Sequence, residues 1–285
     1  MPFKKTLFVC CLVVLIGRAV MCQIPVHRIY VQVSRSTGTR VEAMGAECDP
    51  HFFSQNLTRS DGAEPADWRI VIGRVRAMKL KKFRIMVLPQ WYEPRNDNAD
   101  PMTTDLKKFT FNSPEMQSLY KVLDLAQAQH MDVCLVLWGC PVRVSLLDPR
   151  YKDVSTCFMA DPDKKNVWIT GPNNYQEWAE NFSALIRHLV IDRKYSCVRE
   201  ITPVNEPDGG PVLAAPEYIK MVKILDARFR RDGIRDRVRF DLSDNTDTRS
   251  AFLAVCSDSL SREGDVFNSH TYIFGYDTPN EKILG

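Results

Sequence analysis

The sequence predicts an α/β protein built as a closed (β/α)8 (TIM) barrel, of which the chain carries the first six β/α units. Three observations predict it. From about residue 41, short apolar runs alternate with longer amphipathic ones, the pattern of a parallel sheet covered by helices. None of the strand-to-helix junctions carries Gly-x-Gly-x-x-Gly, and Gly-x-x-x-x-Gly-Lys is absent, which argues against a dinucleotide-binding open sheet and a P-loop. Polar and aromatic residues also stand just past most strands: Glu47-Cys48-Asp49, Gln90-Trp91-Tyr92-Glu93, Trp138, Asn205-Glu206, Asp244-Asn245 and His270-Thr271-Tyr272. In a barrel those strand ends share one face, where sites are built.

The first apolar run is Val41 to Glu47, followed by a helical pattern from Trp68 to Lys81 with Ile70, Val71, Val75 and Met78 near helical spacing. Phe83 to Leu88 reads as strand two. The next helix runs from Ser113 to His130, Ser113 capping it and Pro114 taking its first position. Val133 to Trp138 is strand three. A loop rich in Asp and Pro leads to a helix from Tyr175 to Asp192. Strand four spans Val198 to Pro203, a helix Pro216 to Arg231, strand five Val238 to Leu242, a helix Thr248 to Ser259, and strand six Val266 to Tyr272. Thr278-Pro279 reads as the start of a sixth helix.

Residues 1–22 read as a secretory signal peptide: Lys4 and Lys5 precede an apolar run from Leu7 to Ile16 that is too short to span a bilayer. The expected mature chain is residues 23–285, exported to the extracellular space, periplasm or cell surface. Without Lys4, Lys5 and Arg18 the formal charge of +3 falls to near zero, which does not suggest a nucleic-acid binder. Six cysteines remain in the mature chain, Cys48, Cys134, Cys140, Cys157, Cys197 and Cys256. An even number permits disulfides, and Cys140 with Cys157 is the preferred pair. The five histidines are scattered and the mature chain has no Cys-x-x-Cys, so neither a metal nor another cofactor is expected. Asn56-Leu57-Thr58 and Asn181-Phe182-Ser183 are glycosylation sequons, meaningful only in a host that glycosylates exported proteins.

Ile201-Thr202-Pro203-Val204-Asn205-Glu206-Pro207 is the most informative segment. With it the chain resembles the large clan of retaining (β/α)8-barrel glycoside hydrolases that includes the cellulase-like family 5. That group places its acid/base glutamate after an asparagine at the end of strand four, where Asn205-Glu206 falls. The resemblance implies that Glu206 is the acid/base and that Asn205 binds the sugar hydroxyl beside the reacting carbon. It also implies that Arg84, costly inside an apolar strand unless paired, holds the nucleophile, and that His270 and Tyr272 line the site. Strand-end Arg84 in an ordinary salt bridge is the alternative reading. Glycoside cleavage needs a protonated carboxyl to donate to the leaving oxygen and an ionised one opposite it. Trp91, Trp138, Tyr92 and Phe274 are candidate stacking platforms, or ordinary core. Glu47 and Asp49 are candidate hydroxyl ligands, although Asp49 before Pro50 also fits a turn cap. Asp244 at the end of strand five is a lesser candidate.

The resembling enzymes take their nucleophile glutamate from strand seven, and only six strands precede Gly285. The nucleophile is therefore expected outside this chain, and the chain alone is expected to lack efficient retaining hydrolysis. The implied substrate is an oligo- or polysaccharide with β-linkages, and no membrane span is expected. A non-catalytic carbohydrate-binding barrel is the alternative function. A lipase-like hydrolase falls behind because there is no Gly-x-Ser-x-Gly elbow. Oligomeric state, sugar and linkage are not specified by these residues.

Overall fold

Six strands form one parallel sheet in which sequence order and spatial order coincide, β1 to β6. They are β1 (Gly45–Glu47), β2 (Lys82–Val87), β3 (Asp132–Leu137), β4 (Val198–Thr202), β5 (Arg239–Asn245) and β6 (Val266–Ser269). A doubly wound sheet reverses its order at a switch point; here the winding keeps one direction, as in a barrel. The computed structural model describes residues 43–50, 65–138, 172, 174–209, 213–246 and 250–270. The expected leader, the preferred Cys140–Cys157 pair, Asn56, Tyr272, Phe274 and the expected sixth helix lie outside them. The helices are α1 (Pro65–Met78), α2 (Pro114–Ala128), α3 (Tyr175–Arg187), α4 (Ala215–Arg231) and α5 (Ser250–Ser259). Among the described residues no helix is long and apolar enough to cross a membrane.

The sheet's two faces are chemically unlike because side chains alternate along a strand. One face carries Phe83, Ile85 and Val87 from β2, Val133, Leu135 and Leu137 from β3, Ile201 from β4, and Phe240 and Leu242 from β5, all buried in the main core with the helices. From the helices come Trp178, Phe182, Tyr218, Phe229 and Leu225. Phe229 meets both Phe182 and Phe240 edge-on, with ring centroids 6.1 and 5.3 Å apart, a favoured aromatic geometry. The other face carries a small apolar cluster, Met86, Cys134 and Val136 with Trp138 packed on it. Toward the amino ends of the strands that face is ionic: buried Glu200 pairs with both Lys82 and Arg239, and Asn268 donates to Asp241 at 2.7 Å. Burial pushes the Asp241 carboxyl up to about 6.

The helix ends follow their local chemistry. Ser113 Oγ accepts from the Met116 amide, with Pro114 at the first position, as the sequence predicts. Asn174 accepts from the amides of Gln176 and Glu177 at the start of α3. Gly233, at φ +69°, ends α4, and the next amide, of Ile234, returns to the Phe229 carbonyl at 3.0 Å; only glycine adopts that conformation without cost. The single helix expected from Tyr175 to Asp192 is α-helical to Arg187 and turns π-helical over His188–Asp192. There the His188 ring stacks on Phe111 at 4.0 Å and hydrogen-bonds the Tyr120 hydroxyl at 2.8 Å.

One expectation changes. The sequon at Asn181 sits inside α3 with no exposed surface. Its amide accepts from the Tyr92 hydroxyl at 2.5 Å and donates to Glu93 at 2.7 Å, so the folded protein offers no glycosylation site there. Cys48, Cys134, Cys197 and Cys256 are all free thiols. Phe229→Ala should cost about 3–5 kcal/mol, the usual range for emptying a buried aromatic site, read as a lowered midpoint in urea denaturation; an unchanged midpoint would show that this aromatic contact is not part of the core's stability.

Candidate active site

At the carboxyl ends of β1, β2, β4, β5 and β6 the polar side chains converge on Arg84. Its Nη2 donates to Asn205 Oδ1 at 2.6 Å and to Asp244 Oδ2 at 3.1 Å, and its Nη1 to Glu47 Oε2 at 3.1 Å. Three acceptors offset the cost of placing a guanidinium inside a sheet. Asp244 is the most enclosed member, its side chain 1 % exposed. Besides Arg84, its Oδ2 accepts the backbone amide of Glu206 at 3.1 Å, and its Oδ1 lies 2.9 Å from His270 Nε2. The other ring nitrogen, Nδ1, is 2.7 Å from Glu206 Oε1. One imidazole thus bridges two carboxyl groups, and one carboxylate fixes the arginine, the histidine and the backbone of Glu206.

The backbone here is strained. Glu206, Ser243 and Asp244 have φ of +43°, +74° and +48°, a region that costs non-glycine residues on the order of 1–3 kcal/mol each. The surroundings hold them there: the Ser243 amide donates to the buried Tyr218 hydroxyl at 3.1 Å, and the Gly209 amide to the Glu206 carbonyl at 3.0 Å. The register between β5 and β6 shifts between Ser243 and Asn245. This irregularity turns Asp244 toward Arg84.

Charge tunes the cluster. The hydrogen bond to Asp244 raises the His270 pKa above its ordinary 6.5, burial opposing it. Burial alone would push Asp244 up, but the His270 hydrogen bond and the Arg84 charge together hold it below 3.8. Burial, and then the charge of neighbouring Asp49, raise Glu47.

The sequence-predicted residues divide cleanly. Arg84, Asn205, Glu206, His270 and Glu47 come together. Trp138 packs over Met86, Cys134 and Val136 on the same face of the sheet. Trp91 does not join them: it is fully buried in the main core with Tyr92, on the helix-facing side, where no sugar could stack. The cause is the 3-10 turn Pro89–Trp91 directly after β2, which folds this segment back under the helices. Asp49 accepts the Met86 amide at 2.9 Å, which ties β1 to β2. Tyr272 lies outside the described residues. Asp244 is the member whose weight the sequence understates; strict strand alternation gives no sign of the turn that aims it. Its signal is the Ser243-Asp244-Asn245 run, since Asp and Asn tolerate left-handed backbone.

Against known structures, the chain is similar to a glycoside hydrolase family 30 subfamily 8 xylanase from Clostridium acetobutylicum, with a TM-score of 0.51 and 10% identity over 84% of this chain and 51% of that one. It is similar likewise to a family 30 endoxylanase from Clostridium papyrosolvens, with a TM-score of 0.51 and 13% identity over 83% of this chain and 51% of that one. The chain thus spans about half the length of these structures. At such identity the likeness establishes the fold: six parallel strands with helices between them, in the arrangement of a partial TIM barrel. No family profile matches the chain, and no curated protein matches it.

The pKa shifts give opposite pH signatures. His270 titrates higher when folded, so its stabilisation is complete below about 6.5 and lost as pH rises through the folded value. Asp244 titrates lower when folded, so its stabilisation is complete above about 3.8 and lost as pH falls through the folded value. In Asp244→Asn the His270 titration, followed by NMR of the ring protons, should move down from its raised position, and the acid limb of stability attributable to Asp244 should vanish. A His270 titration identical in both proteins would exclude Asp244 as the cause.

Proposed function

We propose that this chain belongs to an exported hydrolase of O-glycosidic bonds that acts on a β-linked oligo- or polysaccharide by retaining double displacement, with Glu206 as acid/base. The observation that carries this reading is the pairing of Glu206 with His270 and of Asn205 with Arg84 at the carboxyl end of β4, the face on which barrel enzymes build their sites.

Glu206 must donate a proton to the leaving oxygen and then take one from water. The 2.7 Å contact with His270 Nδ1 gives that proton two adjacent sites. When the imidazole carries it, both ring nitrogens donate, one to Glu206 and one to Asp244. When Glu206 carries it, the neutral ring keeps its Nε2 proton on Asp244 and accepts at Nδ1. Asp244 thereby fixes the tautomer, a role independent of direct contact with sugar. Asn205, held by Arg84, presents its amide beside Glu206 for a sugar hydroxyl, a bond that can strengthen in an oxocarbenium-like transition state. Trp138 is the stacking platform at the rim, and Glu47 a hydroxyl ligand. Tyr272 completes the set by resemblance. The nucleophile that retention requires is assigned to no described residue.

One observation favours a second reading, a carbohydrate-binding barrel without turnover. The guanidinium that the resemblance reserves for the nucleophile is engaged by Asp244, Asn205 and Glu47.

Turnover and binding of a panel of β-glycans, with a full-length version that supplies the expected strand-seven nucleophile and its Glu206→Gln variant, separate the two. The hydrolase reading expects product from wild type and a loss of about 10²–10⁴-fold in the variant on unactivated glycans, with a smaller loss on aryl glycosides whose leaving group needs no proton. Binding without product in both proteins supports the second reading. Product formed at equal rates removes Glu206 from the chemistry, and no binding at all removes both readings.

A further inference from the structure

The segment after β2 and the first turns of α3 enclose a second group of acids, away from the Glu206 site. Asp97, Glu177 and Glu180 are all buried, and one carboxylate oxygen from each lies within 4.8 Å of the others. Oxygens bound to one ion at about 2.4 Å, the usual calcium distance, can stand no further apart than about twice that. Separations under that bound are compatible with one shared calcium ion.

Acidic clusters are common, and two separate features distinguish this one. The first is unmet hydrogen bonding. Glu180 is 1 % exposed and Asp97 2 %, yet neither Glu180 oxygen nor Asp97 Oδ1 has a hydrogen-bond partner of normal geometry, and Asn96 Oδ1 is buried in the same condition. Buried oxygens left so are costly and rare. The Asn96 side chain donates to Glu177 through its amide nitrogen, which leaves its buried Oδ1 as a neutral oxygen without a partner on the residue before Asp97.

The second feature is charge. Among the described residues Arg228 is the cation paired with Glu180, at 3.9 Å. Its guanidinium is already committed to Asp232 at 2.6 Å, the Pro101 carbonyl at 2.8 Å and Thr104 Oγ1 at 2.6 Å. Lys108 reaches the Asp97 carbonyl, not its carboxylate, and Asp105 at 4.0 Å. Asp97 Oδ2 takes the Asp105 amide. Glu93, beside the cluster, is spent on Asn181 and the Asp97 amide. Three buried carboxylates thus face one distant, occupied arginine.

We propose that Asp97, Glu177 and Glu180, with Asn96, bind a calcium ion that clamps the segment following β2 onto α3. The donors are all hard oxygens, the class calcium prefers, and three carboxylates supply three to six of its six to eight positions. Asp97 belongs to the segment and Glu177 and Glu180 to the helix, so the ion replaces mutual repulsion with a bridge.

The test uses the full chain stripped with EGTA. Thermal unfolding is followed during titration with calcium chloride. Terbium bound in calcium's place is read by luminescence sensitised from Trp178, the residue next to Glu177. Calcium at about 100 times its Kd should raise Tm on the order of 5–10 °C, and should displace terbium where equal magnesium does not. Glu180→Gln and Asp97→Asn, close to isosteric, should lose the calcium shift while melting no lower than the stripped wild type, because each relieves the crowding of buried acids. An unchanged Tm together with terbium that calcium cannot displace overturns the proposal, as does a calcium shift of equal size in both variants. If either variant fails to fold, displacement on the wild type decides alone.

Discussion

A guanidinium inside a sheet must be met by acceptors or expelled, and the carboxyl end of this barrel segment is organised around meeting one. Arg84 projects from β2 onto the polar face, and its acceptors arrive from three other strand ends: Glu47 from β1, Asn205 after β4 and Asp244 from β5. Deleting one partner of such a partly buried pair is costly because the remaining charge is less fully compensated. Asp244 then passes the constraint onward to His270 and to the Glu206 backbone. The orientation of the proposed acid/base is therefore set two contacts away, by a residue that need not touch substrate.

Much of this was legible in the sequence, and the divide between what was and was not has a physical basis. Strand identity follows from apolar runs, since Phe83, Ile85 and Val87 must face helices whatever the opposite face does. Ser113-Pro114 states a helix start by local chemistry alone. Arg84 is recognisable because a charge within an apolar strand needs a reason, and Glu206 through the resemblance that Asn205-Glu206-Pro207 carries. Trp91 misleads because an aromatic residue just past a strand satisfies two environments equally well; only the 3-10 turn after Val87, a tertiary decision, puts it under the helices. The π turn at His188 is equally invisible, since Phe111 and Tyr120, which hold that ring, are distant in sequence.

The strain concentrated at Glu206, Ser243 and Asp244 follows the same logic. Three left-handed residues, one in the turn after β4 and two at the end of β5, cost stability that regular backbone would keep. The return is a carboxylate turned out of its pleat to a position that alternation forbids. Structures keep such backbone where surrounding bonds over-determine it, and here the Tyr218 hydroxyl and the Gly209 amide do so. The polar layer nearer the amino ends, with Glu200 between Lys82 and Arg239, is built without comparable strain.

The enclosure of Asn181 has a consequence for how the chain is made. An oligosaccharide transferase acts on the emerging polypeptide before α3 has packed, and would read Asn-Phe-Ser without regard to its later burial. A glycan attached then could not coexist with the Tyr92 and Glu93 contacts, because the amide nitrogen that donates to Glu93 would carry the sugar. Synthesis in a secretory pathway possessing that enzyme sets folding of this helix in a race against modification. A cell without the enzyme imposes no such race, which makes bacterial expression the sounder route to native material.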